Sequence, residues 1–281
     1  MKNQTAASDT SSGVNIWDAY PAEILASKKY RALGIPVETV RDLLEKEYAA
    51  RAPKEAIKAV RHKLHNIVAP YLGDPVYSDA ASQLDAVFAS GGAAAIQNTL
   101  EGILAEHTST RERLPHLADF YRCIFARTGL PDAILDLACG LNPLALPWMG
   151  LPAACRYHAY DIHAPRVALI NHYFTLQGYP PLAAVQDILV SPPRIAAPVA
   201  FFFKEAHRFE QRQRGANRAF WQALKVHWLV VTLPAASMSG RHDKREQHRR
   251  LVYDTIAGLP WQVIEDQVGD ELIFSIQTGN G

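Results

Sequence analysis

From Pro131 onward, short apolar runs alternate with stretches of helical period, and this alternation constrains the fold more than any other feature of the chain. Ile134-Leu135-Asp136-Leu137 reads as a buried strand. Arg156 to Tyr160 reads as a second, ending at Asp161, and Leu182 to Val185 as a third, ending at Gln186-Asp187. Val199 to Phe203 makes a fourth and Trp228 to Leu233 a fifth, while Val167 to Gln177 is helical. Strands separated by helices imply βαβ units and a mostly parallel sheet. Trp261 to Ile264 and Glu271 to Ile276 form a closing antiparallel pair. The expected class is therefore α/β, a Rossmann-like domain whose mostly parallel sheet ends in an antiparallel C-terminal hairpin.

The first part of the chain has a different period. Apolar residues recur three and four apart at Val37, Val40, Leu43 and Leu44, then at Ile57, Val60, Leu64 and Ile67. Pro36 and Pro53 stand where helices can start, because a missing N–H costs nothing there. Gly73-Asp74-Pro75 and Gly91-Gly92 interrupt the pattern, and no strand signal appears. His107 to Pro115 reads as a connector, and a helix with Leu117, Phe120, Tyr121 and Phe125 on one face follows. The polar, Ser/Thr/Ala/Gly-rich start lacks the apolar core of a signal peptide. No apolar run approaches the ~20 residues that span a bilayer. The expected organisation is a disordered tail over 1–15, an all-helical domain over 16–106 and the α/β domain over 107–281, in a cytoplasmic protein with no membrane association.

Cys123, Cys139 and Cys155 are scattered without a CxxC pair, so neither a disulfide framework nor a metal site is expected, and a reducing compartment fits. Cys139 is read as a packing residue rather than a nucleophile.

The segment carrying most chemistry is Asp136-Leu137-Ala138-Cys139-Gly140-Leu141-Asn142-Pro143, directly after the first strand. Ligands of doubly wound sheets bind beyond the carboxyl ends of the strands. Gly140 lets the backbone approach a ligand, and Asn142-Pro143 can open the next helix. The segment is not GxGxxG, which disfavours a dinucleotide. Asp161 can accept both hydroxyl hydrogens of a ribose, and Gln186-Asp187 can meet an adenine amino edge. Each polar residue alone can be an ordinary turn residue. Three at successive strand ends form the layout for a nucleoside cofactor.

These residues carry a resemblance. His107 to Leu117 and Ile134 to Trp148, with Ala26-Ser27-Lys28-Lys29-Tyr30, Gln186-Asp187 and Glu271-Leu272-Ile273, resemble the aminoglycoside-resistance 16S ribosomal RNA methyltransferase family over about residues 22–277. The resemblance implies a class I methyltransferase domain behind a helical RNA-binding domain. It implies methyl transfer from S-adenosylmethionine to N7 of a guanine in the decoding site of the 30S subunit, and hence aminoglycoside resistance. It further implies that Thr110 and Arg113 contact the methionine carboxylate, that Asp136, Ala138 and Gly140 line the cofactor, that Asp161 holds the ribose, and that Gln186 and Asp187 meet the adenine. A guanidinium suits the carboxylate because the pair is bidentate.

Two segments depart from the family pattern. Where the family carries Lys-x-Leu-Pro-x-Leu-Glu, this chain has Lys204-Glu205-Ala206-His207-Arg208-Phe209-Glu210. Where the family carries Phe-Pro-Thr-Arg-Ser-Leu-Gly-Gly-Arg, it has Leu233 to Arg241 with Ala236 in place of an arginine. Lys204, Glu210, Ser237 and Arg241 persist and are the candidates to grip a flipped target base. Guanine N7 bears a lone pair and no proton, so no general base is required, and the lack of a clear catalytic dyad fits.

The net charge is only +1, so any RNA-binding surface must be local. Lys28, Lys29, Arg31, Lys58, Arg61 and Lys63 form one basic segment. Arg241 to Arg250, with Lys244 and Arg245, forms a second, and Arg208, Arg212 and Arg214 a third. Such runs are also common on solvated helix faces. The 30S subunit and its 16S rRNA are the expected partner, and the chain is expected to act as a monomer. Two other readings stay open: a small-molecule methyltransferase on the same scaffold, and a non-catalytic ribosome-binding assembly factor.

Overall fold

A computed structural model describes residues 16–68, 74–236 and 243–279. The tail expected over 1–15 lies outside the described residues, as do Ser237 and Arg241.

Seven strands form one sheet: β1 (Ala133–Leu137), β2 (Arg156–Asp161), β3 (Ala183–Val185), β4 (Ala196–Phe203), β5 (Lys225–Pro234), β6 (Gln262–Val268) and β7 (Glu271–Gln277). Their order is β3-β2-β1-β4-β5-β7-β6, with β7 antiparallel to β5 and β6 and the other pairs parallel. The parallel sheet and closing hairpin expected from the sequence are both present. Successive residues on a strand face opposite sides. Ile134, Phe201 and Phe203 accordingly join one apolar core, and Leu135, Leu137, Ala200 and Phe202 the other. Helices α8 (Leu117–Thr128) and α10 (Ala164–Leu176) cover the first face, and α11 (Ala206–Arg212), α12 (Ala216–Ala223) and α13 (Arg245–Ile256) the second.

The N-terminal helices are α1 (Ile16–Ala26), α2 (Lys28–Arg31), α3 (Val37–Tyr48), α4 (Pro53–Val68), α5 (Tyr77–Ser90) and α6 (Ala93–Glu106). Helices α1–α4 close their own core around Val40, Leu43, Leu44, Val60 and Leu64. Val37, expected on the buried face, is exposed at the first turn of α3. By contrast Leu84, Leu100, Ile103 and Leu104 of α5 and α6 pack into the core of the sheet. The α5–α6 pair thus packs with the sheet, although the sequence expectation set it with the preceding bundle. The connector 107–115 is partly helical, with α7 at Thr108–Arg111 and a 3-10 turn at Leu114–His116; a second short helix, α9, is Leu146–Met149. No helix among the described residues is long and apolar enough to cross a membrane.

Candidate functional site

The carboxyl ends of β1 to β4 open into a cavity of about 390 Å³. Ala138, Asp161, Ile162, Gln186, Asp187 and Ile188 line it from the first three strand ends. Glu205, Arg208, Phe209 and Arg212 line it from the β4 end and α11, and Lys63, Asn66 and Ile67 from α4. Non-glycine residues with left-handed backbones follow the two central strands: Ala138 at φ 52° and Lys204 at φ 60°. Such conformations cost on the order of 1 kcal/mol each and are tolerated where the surroundings enforce them. Here they turn the chain sharply away from adjacent strands and leave the crevice open.

Asp161 is buried and already organised. Its Oδ1 accepts from the His163 amide at 2.9 Å, and its Oδ2 from the Gly140 amide at 3.1 Å and Arg166 Nη1 at 2.8 Å. Arg166 also pairs with Asp74, which binds His107 Nδ1 at 2.7 Å. Burial pushes the Asp74 carboxyl up, but the His107 hydrogen bond and Arg166 outweigh it and hold it down at about 2. This chain of charges explains Gly140, whose φ is +55°. A Cβ there would stand 2.9 Å from His107 Nε2, so the glycine accommodates the histidine; the sequence expectation was close approach to a ligand.

Asp187, expected at an adenine, is held by protein groups. Thr39 Oγ1 donates to it at 2.8 Å, Arg212 Nη1 at 2.9 Å, and the Leu189 and Val190 amides at 3.1 and 3.4 Å, with Arg212 Nη2 an ion-pair contact at 2.7 Å. A carboxylate has roughly four lone-pair sites, so protein donors fill this one. Gln186 gives its amide hydrogen to Ser191 O at 2.6 Å, which leaves its carbonyl oxygen as an acceptor.

A second buried network lies behind the cavity. Arg113 makes a bidentate pair with Glu271 at 2.6 and 3.1 Å and donates to Asn142 Oδ1 at 2.9 Å. Its guanidinium lies over Phe120 at 4.2 Å and Phe203 at 4.8 Å. Burial pushes the Glu271 carboxyl up, but Arg113 and Lys204 pull it below the usual range. Thr110 donates its hydroxyl to Leu104 O at 2.6 Å. Asp136 is also buried; it accepts from Asn142 at 2.9 Å and Tyr157 at 2.7 Å, and burial pushes its carboxyl up to about 7. A carboxyl whose folded pKa exceeds its unfolded one keeps a proton that unfolding releases, so rising pH favours the unfolded chain until about 7. Asp136→Asn should therefore lose less stability than wild type between about pH 5 and 7, by at most about 1.4 kcal/mol per pH unit. Urea unfolding across that range measures it, and parallel curves would show that Asp136 is ionised when buried.

The residues expected to grip a target base fare unevenly. The Lys204 ammonium sits 2.7 Å from Glu112 and 3.4 Å from Glu271, within the Arg113 network and not among the cavity residues. Glu210 accepts from the Gly215 amide at 2.7 Å and the Asn217 amide at 3.1 Å, capping the start of α12. Cys139 is buried, and burial raises its thiol well above the ordinary value, as suits a packing residue. Glu205, not singled out from the sequence, lines the cavity beside Arg208, and burial pushes its carboxyl up to about 7.

Lys28, Lys29, Arg31, Lys58 and Arg61 are exposed on the N-terminal bundle. Lys63 instead lines the cavity and binds Glu47 at 2.5 Å. Lys244 and Arg245 are half-buried at the start of α13, with Arg245 held by Asp243 at 3.1 Å. Among the described residues, no group of three or more His, Cys, Asp and Glu is arranged to hold a metal ion.

Residues 26–274 match the family model described as ribosomal RNA methyltransferase (FmrO). The 16S rRNA (guanine(1405)-N(7))-methyltransferase of Serratia marcescens is 35% identical over 268 residues, covering 94% of this chain and 99% of that protein. The protein of the same name from Micromonospora echinospora is 32% identical, covering 92% and 96%. The solved structure of 16S rRNA methyltransferase RmtF in complex with S-adenosyl-L-homocysteine superposes with a TM-score of 0.75 at 29% identity, covering 95% of this chain and all of that one.

Proposed function

The chain belongs to the FmrO family of ribosomal RNA methyltransferases, and on that premise we propose that it methylates N7 of a guanine in the decoding site of 16S rRNA, within the 30S subunit, using S-adenosylmethionine. The observation that carries the reading is the cavity at the ends of β1 to β4, with an acid at the β2 end and apolar walls. Its residues fit an adenosyl group. Ile162, Ile188 and Phe209 suit the faces of a purine, and the Gln186 carbonyl oxygen suits an adenine amino group. Asp161 accepts three protein hydrogens, which leaves room for a ribose hydroxyl.

When bound, the cofactor supplies an electrophilic methyl on a sulfonium. Guanine N7 is a nucleophile without a proton to lose, so the protein needs no base. Its work is to hold two reactants in line and exclude water. The sheet ends do the first. The exposed cations of α2 and α4 are suited to rRNA phosphates. On this reading the protein acts as a cytoplasmic monomer. An N7-methylguanine carries added bulk and positive charge on its Hoogsteen edge. Both oppose a polycationic drug in the same groove, so aminoglycoside resistance is the expected phenotype.

Purified 30S subunits incubated with the chain and radiolabelled S-adenosylmethionine should take up label at one guanine, detected by cleavage at N7-methylguanine. Cells expressing the chain should tolerate aminoglycosides. Unmodified subunits from a chain that binds the cofactor would reject this target and favour a small-molecule acceptor.

A further inference from the structure

Helix α4 belongs to the N-terminal bundle, yet Asn66 and Ile67 on its last turns line the same cavity as Asp161 and Gln186. The contacts that seat the bundle surround that cavity. Thr39 of α3 donates to Asp187, Arg212 lies between Asp187 at 2.7 Å and Asp42 of α3 at 3.6 Å, and Lys46 donates to Gln213 at 2.7 Å. The Ala164 amide at the start of α10 donates to Leu33 O at 3.0 Å. Gly34 makes this approach possible, because a Cβ there would lie 2.5 Å from Ala164 Cβ.

We propose that the N-terminal bundle is a wall of the cofactor site: Asn66 faces the adenine edge, and the Thr39–Asp187–Arg212 latch holds α3 and α4 in place, so that cofactor occupancy and seating of the bundle strengthen each other. The proposal rests on the cofactor reading above. Asp187 is filled by protein donors, so its carboxylate braces the bundle, and the adenine edge is left to carboxamides. A carboxamide offers a donor and an acceptor side by side, which matches the amino group and adjacent ring nitrogen of adenine. Lys63 is tied to Glu47 within the bundle, which leaves Asn66 as the polar group that α4 presents to the cavity. Two sites joined through one latch must influence each other by the same factor in both directions. A bundle that carries the exposed cations of α2 and α4 would thereby report cofactor occupancy to the RNA-facing surface.

The probe is S-adenosylhomocysteine, with the full chain. Calorimetry should show binding weakened by about 3- to 10-fold in Asn66→Ala and in Thr39→Val, the loss of one or two hydrogen bonds. Glu23→Ala, which removes an exposed pair with Arg61, should leave affinity unchanged. In the wild-type chain, which avoids any question of misfolding, S-adenosylhomocysteine should slow amide exchange in residues 37–48 and 53–68, and Thr39→Val should reduce that protection. Wild-type binding with no change in α3 or α4 exchange and unaltered affinity in both variants would overturn the proposal alone. A wild-type chain that bound no S-adenosylhomocysteine would overturn the cofactor reading as well.

Discussion

Replacing Glu271 with alanine is expected to lower the unfolding free energy by about 3–5 kcal/mol, as when one partner of a buried ion pair is removed. Arg113 is fully enclosed, with Phe120 and Phe203 against its guanidinium. Glu271 supplies both oxygens of its bidentate pair and also accepts from Thr232 at 2.5 Å. Without the carboxylate, Arg113 keeps its hydrogen bond to Asn142, which carries no charge, and the nearby Asp136, whose carboxyl burial pushes up to about 7. Lys204 loses a neighbour but retains Glu112. Glu271→Gln preserves shape and the Thr232 contact while removing the charge, so its cost should be smaller. Urea unfolding with a constant slope measures both. A loss below about 1 kcal/mol for Glu271→Ala would show that water reaches Arg113 or that another acid replaces Glu271.

The strands were legible because burial on both faces leaves near-continuous apolar runs, as in Val199 to Phe203 and Trp228 to Leu233. The positions of Asp161 and Gln186-Asp187 at strand ends were legible for the same reason: the end of an apolar run marks the end of a strand. What each carboxylate binds was not legible. Asp161 meets Arg166 across one helical turn, but Arg166 is fixed by Asp74, which periodicity along the chain cannot connect to it. Asp187 is claimed by Thr39 and Arg212, which lie on different elements. Glu271 left a signal, a charge at the head of the apolar run Leu272 to Ile276, and a charge there needs a buried partner. Glu210 illustrates the reverse: a residue matched to a motif proves to cap a neighbouring helix, a role set by five to seven residues of local chain. The boundary of the helical region also escaped the sequence, because α5 and α6 show helical period whether they pack on the bundle or on the sheet.

Asp161→Ala is expected to reduce the stabilisation of the chain by S-adenosylhomocysteine and to lower its own stability by about 2–4 kcal/mol. Two effects are superposed. The ribose loses its acceptor in a buried setting, worth about 1–3 kcal/mol of binding. The fold loses the carboxylate that ties the Gly140 amide, the His163 amide and Arg166 together, and a guanidinium that is 1% exposed loses one of its paired carboxylates. Loosening Arg166 also releases Asp74 and His107, the side chain packed against Gly140. The two effects separate in a thermal melt. A ligand that binds only the folded chain raises its stability by RT ln(1 + [L]/Kd), so the increment reports binding even from a lowered baseline. Wild type should gain about 2.7 kcal/mol when the ligand stands at about a hundred times its Kd. Asp161→Ala, at the same ligand concentration, should gain much less. Asp161→Asn, which keeps an acceptor oxygen but no charge, should fall between them in both baseline and increment. Equal increments in wild type and Asp161→Ala would mean that the carboxylate serves Arg166 and the loop amides and takes no part in holding the ribose.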